Sequence, residues 1–126
     1  MNIEPAIEII DLDLSYGGVQ ALRKVAFSVS TGEIFGLLGP NGSGKTSLFR
    51  VLTTLLSPSA GSISVFGQSV ARSPASVRRF AGVVFQSQSL DRKLTVIENL
   101  RHQGHLYGLS GSELRQRTAE VLERFG

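Results

Sequence analysis

Apolar and polar positions alternate along two stretches near the N-terminus. Ile7 to Leu14, rich in isoleucine, is the first; Ala21 to Ser30, with Leu22, Val25, Phe27 and Val29, is the second. A period of two is that of a half-buried strand, and Tyr16-Gly17-Gly18 between them spells a turn, so the pair reads as two strands joined by that turn. Thr31-Gly32-Glu33 marks another turn. Ile34-Phe35-Gly36-Leu37-Leu38 is then apolar or glycine throughout, the pattern of a buried strand.

The period changes after this strand. Ser47 to about Leu56 reads as a helix that stops at Ser57-Pro58. Ser62 to Phe66 alternates again, and Gly67 ends it. Ser73-Pro74 has the form of an N-cap followed by proline in the first helical position, opening a short helix through about Phe80. Gly82-Val83-Val84-Phe85 reads as a short buried strand ending at Gln86. Thr95-x-x-Glu98 is a capping box for a helix to about Leu106, broken by Gly108. Ser110-x-x-Glu113 spells a second box, with Leu109 and Leu114 placed for a hydrophobic staple. Leu114, Val121, Leu122 and Phe125 mark one face of the helix that follows. Antiparallel strands, then a strand–loop–helix unit, then helices describe an α/β architecture.

The loop between the apolar strand and its helix carries the chemistry. Gly39-Pro40-Asn41-Gly42-Ser43-Gly44-Lys45-Thr46 fits G-x-x-x-x-G-K-[ST] at every fixed position. Its glycines let the backbone curl and point N–H groups inward. Lys45 offers a point charge for outer phosphates, and Thr46 offers a hydroxyl for Mg²⁺. The positive N-terminal end of the helix beginning near Ser47 faces the same point. These residues predict a nucleoside triphosphate site.

Composition narrows the field modestly. The 126 residues suit one domain, and 41% hydrophobic content suits a core. The net charge of +3 is mild, and its arginines and lysines are dispersed, so no nucleic-acid partner is expected. There is no cysteine, hence no disulfide and no cysteine-held metal. Met1-Asn2-Ile3-Glu4-Pro5 lacks the regions of a signal peptide, and no apolar run is long enough to span a bilayer. His102 and His105 lie one helical turn apart with no third ligand, and read as surface residues. Asp11 and Asp13 share one side of the first strand and read as exposed.

Several separate motifs together resemble the ATP-binding cassette (ABC) proteins, specifically the nucleotide-binding subunits of transporters. They are Tyr16 before Gly-Gly and Val19-Gln20-Ala21-Leu22, the loop spelled Gly-Pro-Asn-Gly-Ser-Gly-Lys-Thr, Ser57 to Ile63 with Val65-Phe66-Gly67, Val84-Phe85-Gln86, and Leu90 to Leu100. The last is most similar to exporters of drugs, polysaccharides and lipids. The resemblance implies a P-loop NTPase core with an N-terminal antiparallel part and the beginning of a helical subdomain. It places the β part and loop in residues 1–88 and the helical start in 89–126. It implies ATP and Mg²⁺ as ligands, with Gly39, Pro40, Asn41, Gly42, Ser43, Gly44, Lys45, Thr46 and Ser47 around the phosphates. Tyr16 is expected to stack on adenine, and Gln86 to reach Mg²⁺ and the attacking water. Lys45 and Gln86 are the expected catalytic residues. The implied partners are a transmembrane permease, docking near Asp91 to Leu100, and a second ATP-binding subunit in a head-to-tail dimer. The expected location is cytoplasmic, on the inner face of the membrane.

The resemblance has limits within this sequence. Leu109-Ser110-Gly111-Ser112-Glu113 is similar to the family's signature, but it follows Gln86 too soon and is explained as a helix start. No apolar strand ends in Asp-Glu, so neither a second Mg²⁺ ligand nor a water-polarising glutamate can be assigned. Complete family domains are longer, so the resemblance implies a truncated, N-terminal part of one such domain. In the family the Asp-Glu strand lies beside the loop-bearing strand; without it, that strand is expected to expose an apolar edge. The alternatives are a nucleotide-binding module without turnover and a soluble, non-transport ABC protein.

Overall fold

The computed structural model describes residues 4–87 and 89–126. Met1, Asn2 and Ile3, at the N-terminus without signal-peptide character, and Gln88, at the expected division of the domain, lie outside them. The chain forms two units, one up to Val83 and the other from Val84 to Gly126.

The first unit is built on a four-stranded sheet. Strand β1 (Ile7–Tyr16) runs antiparallel to both β2 (Val19–Val29) and β3 (Ala60–Val65), and β4 (Gln68–Ser69) pairs with β3. The order is β2-β1-β3-β4. Two-residue turns close both hairpins. Gly17 (φ 58°) and Gly18 (φ 76°) join Tyr16 to Val19, while Phe66 (φ 46°) and Gly67 (φ 72°) join Val65 to Gln68. Positive φ at both central residues matches the twist of the flanking strands. The short β4 has no expectation in the sequence pattern.

Strict alternation does not hold along β1. Counting by twos from buried Ile9 would send Asp11 and Asp13 into the core. Instead the ladder slips between Ile9 and Leu12, with Asp11 at φ 45° and Lys24 on the facing strand at φ 43°. The bulge reverses the parity, so Ile9, Leu12 and Leu14 are all buried. Asp13 Oδ1 accepts the Lys24 N–H at 2.8 Å. Asp11 is exposed and Asp13 half-buried, and neither enters the core. Gly61 on β3 faces the bulge at φ 79°, where a Cβ would overlap the Asp11 carbonyl.

One face of the sheet carries the core. Ile9, Leu12, Leu14 and Leu22 of the hairpin meet Ile63 and Val65 of β3, Leu48 and Val51 of α1 (Lys45–Leu52), and Val77 of α2 (Pro74–Phe80). Helix α1 ends at Leu52 rather than near Leu56. The Leu55 N–H reaches the Arg50 carbonyl at 2.8 Å and the Thr54 N–H reaches Val51 at 3.0 Å, with Thr54 at φ 63°. This is a Schellman closure, which satisfies the last carbonyls and turns the chain before Ser57-Pro58. Pro74 opens α2 as expected, although the Ser73 side chain makes no cap hydrogen bond.

Two expected strands do not form. The segment Ile34 to Leu38 is assigned no strand. Phe35 stacks on Phe27 with ring centroids 5.0 Å apart, and Leu37 packs on the core, so one side is partly covered. Ile34 is 100% exposed and Leu38 95% exposed on the other. Exposure is higher at Ile34 and Leu38 than at Phe35 and Leu37, but among the described residues no strand supplies a ladder for the segment. Gly82 to Phe85 is likewise without strand, and Val84 is 100% exposed.

In the second unit, α3 (Val96–Leu106) and α4 (Gly111–Phe125) pack together. The first capping box forms in full: Thr95 Oγ1 accepts the Glu98 N–H, and the Glu98 carboxylate accepts the Thr95 N–H at 2.7 Å. The second does not. Ser110 is the N-cap of α4 but makes no side-chain cap bond, because Gly111 takes φ 56° at the first helical position and redirects the chain. Leu109 and buried Leu114 both flank Gly104 of α3, where a Cβ would overlap Leu114. Val121 is 38% and Phe125 78% exposed, so only the start of the expected apolar face of α4 is buried.

Candidate phosphate-binding site

The loop of residues 39–46 runs from the half-covered 34–38 segment into α1. Gly42 (φ 81°) and Gly44 (φ 92°) adopt left-handed backbone, which any side chain would strain. Gly44 also lies against β2: a Cβ there would come within 2.7 Å of the Ala21 carbonyl oxygen and 2.8 Å of Leu22. The Ser43 N–H donates to the Pro40 carbonyl at 3.2 Å, closing the curl, and the Leu48 N–H donates to Gly44 at 2.9 Å as α1 begins. Ala21 and Leu22 thus back the loop. That packing role was not visible in the sequence, where both read as strand residues and as part of the motif that follows Tyr16.

The charge distribution suits an anion. Helix α1 has no acidic residue in its first turn. Its first N–H groups have no partner within the helix and point toward the loop. Lys45 Nζ donates to the Gly39 carbonyl, to the Pro40 carbonyl at 2.7 Å and to Ser43 Oγ at 3.2 Å. All three acceptors belong to the loop itself, so the ammonium is held inside the curl, where an incoming phosphate would compete for the same protons. The turn of N–H groups, a cradle of glycines that a Cβ would disturb and a single fixed cation fit a polyphosphate.

Thr46 follows Lys45 and is exposed, leaving its hydroxyl accessible. Among the described residues no group of three His, Cys, Asp or Glu side chains could hold a metal. One hydroxyl is compatible with Mg²⁺ bound largely through phosphate oxygens and water. The His105 ring instead hydrogen-bonds through Nδ1 to the Leu109 carbonyl at 3.1 Å.

Tyr16 and Ser47 are brought together. Tyr16 ends β1 at the hairpin tip, and its hydroxyl shares a hydrogen bond of 3.1 Å with Ser47 Oγ in the first turn of α1. Ser47 is buried, while about half of Tyr16 remains open. Sequence reasoning named both residues but not this link; no sequence signal specifies it. Gln86 belongs to the second unit and is exposed there, and it follows no strand. The expectation that it terminates a buried strand is corrected, since residues 82–85 gain no neighbouring ladder. In the same unit, Asn99 shapes the Asp91–Thr95 loop: its amide accepts the Asp91 N–H at 2.9 Å and donates to the Asp91 and Thr95 carbonyls, each at 3.0 Å. The sequence pattern gave Asn99 no such role.

The antiparallel layer packed on a glycine-rich loop and its helix defines the class: an α/β P-loop NTPase fold. The family model described as ABC transporter matches residues 22–126. The chain belongs to this family. It is 42% identical, over its whole length, to the daunorubicin/doxorubicin resistance ATP-binding protein DrrA of Streptomyces peucetius, and spans 39% of that protein. It is 40% identical to the ABC transporter ATP-binding protein NatA of Bacillus subtilis across 86% of this chain and 44% of that one. The solved structure of an ATP-binding subunit of an ABC transporter superposes with a TM-score of 0.78 at 33% identity, covering 95% of this chain and 50% of the other. An ATP-binding cassette solved as a dimer in a post-hydrolysis state with ADP and Pi gives 0.74 at 26% identity, covering 93% and 56%.

Proposed function

We propose that the chain binds Mg·ATP at residues 39–47 and serves as part of the ATP-binding subunit of an ABC exporter, driving a transmembrane partner. The observation that carries this reading is the Lys45 ammonium held inside the glycine curl at the unpaired N-terminus of α1. Lys45 neutralises the outer phosphates, the N–H groups of residues 42–47 cradle them, and the Thr46 hydroxyl completes the Mg²⁺ shell. Tyr16 offers its ring to the adenine. By the same family reading, the Gln86 amide would serve the metal and the attacking water. Residues 1–88 supply the β part and loop, and 89–126 the start of the helical subdomain. Docking of the permease near Asp91 to Leu100, pairing with a second cassette and residence at the inner membrane face follow from the same reading. No helix among the described residues is long and apolar enough to cross a membrane.

Titration with ATP in the presence of Mg²⁺ tests the site. Lys45→Ala should weaken binding at least 10-fold, the scale of one charge-assisted phosphate contact. Unchanged binding would remove the loop as the site. A second reading concerns these 126 residues by themselves: they contain no Asp-Glu pair to polarise water, so alone they would bind nucleotide without turnover. Phosphoryl transfer depends on positioning and charge stabilisation. The 126-residue chain alone is therefore expected to hydrolyse ATP poorly. Multiple turnovers at the rates of full cassettes would defeat this second reading.

A further inference from the structure

Two contacts tie the β1–β2 hairpin tip to the phosphate loop. Gly44 lies against the Ala21 carbonyl, close enough that a Cβ would come within 2.7 Å. On the other strand of the same hairpin, the Tyr16 hydroxyl meets Ser47 Oγ at 3.1 Å. The two-glycine turn at Gly17 and Gly18 fixes where Tyr16 leaves the sheet. Ser47 is 7% exposed and sits in the first helical turn, two residues after Lys45. Its hydroxyl therefore belongs to the rigid end of the cradle, while the Tyr16 ring remains half open beside it.

We propose that the Tyr16 hydroxyl is a positioning group. Through Ser47 it holds the aromatic face at a set distance from the phosphate cradle, so that base and phosphates are read together. This rests on the nucleotide-site reading above and adds to it. A ring that merely stacks needs no hydroxyl, and phenylalanine would serve equally. A ring held by the Ser47 bond loses pre-organisation when the hydroxyl is removed, and the cost falls only on ligands that carry a base.

The test uses the full chain and two probes, Mg·ATP and inorganic tripolyphosphate with Mg²⁺. Tyr16→Phe should weaken ATP binding roughly 2- to 10-fold, the scale of one hydrogen bond, and leave tripolyphosphate within about twofold. Tyr16→Phe combined with Ser47→Ala should weaken ATP no more than the stronger single change, because one bond is lost in both. Retained tripolyphosphate affinity also certifies that the variant is folded. Unchanged ATP affinity in Tyr16→Phe overturns the proposal and leaves the nucleotide site standing. Equal losses for both probes, or fully multiplied losses in the double variant, also overturn it. Failure of the unsubstituted chain to bind either probe overturns it together with the nucleotide reading.

Discussion

Strand β1 and the 34–38 segment are comparably apolar, yet they end differently. In β1, Leu12 is fully buried; in the other, Leu38 is 95% exposed. The difference is one of partners. β1 meets β2 through a two-residue turn and β3 across the long connection that carries the loop and α1, so both of its edges are paired. The 34–38 segment has one side partly covered, by Phe27 and the core. Its outward face, Ile34 and Leu38, has the composition of a strand interior with no ladder beside it among the described residues. Apolar sequence alone therefore does not make a strand here; a backbone partner within reach does. An apolar edge left in this state is also a site for self-association.

Truncation should break the symmetry between these two regions most sharply. Leu12→Ala removes a fully buried side chain and should cost roughly 2–5 kcal/mol. Leu38→Ala removes one already in water and should stay within about 0.5 kcal/mol. Urea midpoints of the two variants give the comparison directly, and similar shifts would contradict it. Next in size is Gly61→Ala. A methyl there would overlap the Asp11 carbonyl and strain a residue at φ 79°, so a loss of about 1–3 kcal/mol is expected. A neutral result would mean the bulge is not fixed by β3. Smaller still is the effect of Ile34→Ser with Leu38→Ser. Stability should hold within about 0.5 kcal/mol. Light scattering should show less self-association, since the apolar edge is lost; unchanged scattering would place the association elsewhere.

The same contrast explains what was legible beforehand. The Gly17-Gly18 hairpin, Pro74 at the start of α2 and the Thr95–Glu98 box are encoded by a few adjacent residues, and all form as read. The misses depend on partners farther away or on parity. The Asp11 bulge announces itself only as a three-residue step from Ile9 to Leu12, which alternation hides. Helix α1 stops early because Thr54 accepts left-handed backbone, which threonine seldom signals. The Tyr16–Ser47 bond joins residues from two elements, so no local pattern contains it. Segments 34–38 and 82–85 read as strands because periodicity reports apolar faces and says nothing of a ladder.

The two capping boxes sharpen the comparison at its finest scale. Thr95-x-x-Glu98 and Ser110-x-x-Glu113 are spelled alike, yet only the first closes, since Gly111 at φ 56° turns the second aside. The Glu98 carboxylate accepts from the Thr95 N–H at 2.7 Å and from Thr95 Oγ1 at 2.8 Å. The backbone bond first, and the hydroxyl second, hold its pKa below the ordinary carboxylate value. A folded-state pKa lower than the unfolded one adds stability that is present above the unfolded value. That stability is lost as pH falls through the folded one. Amide exchange at Thr95 should therefore speed up as pH drops below the usual carboxylate range, after correction for intrinsic exchange. In Glu98→Gln the corrected rate should be flat over that interval. Because the pair is exposed, the global midpoint should barely move. Acid-sensitive protection at Ser110 of the same size would show that both boxes close in solution and would end the distinction between them.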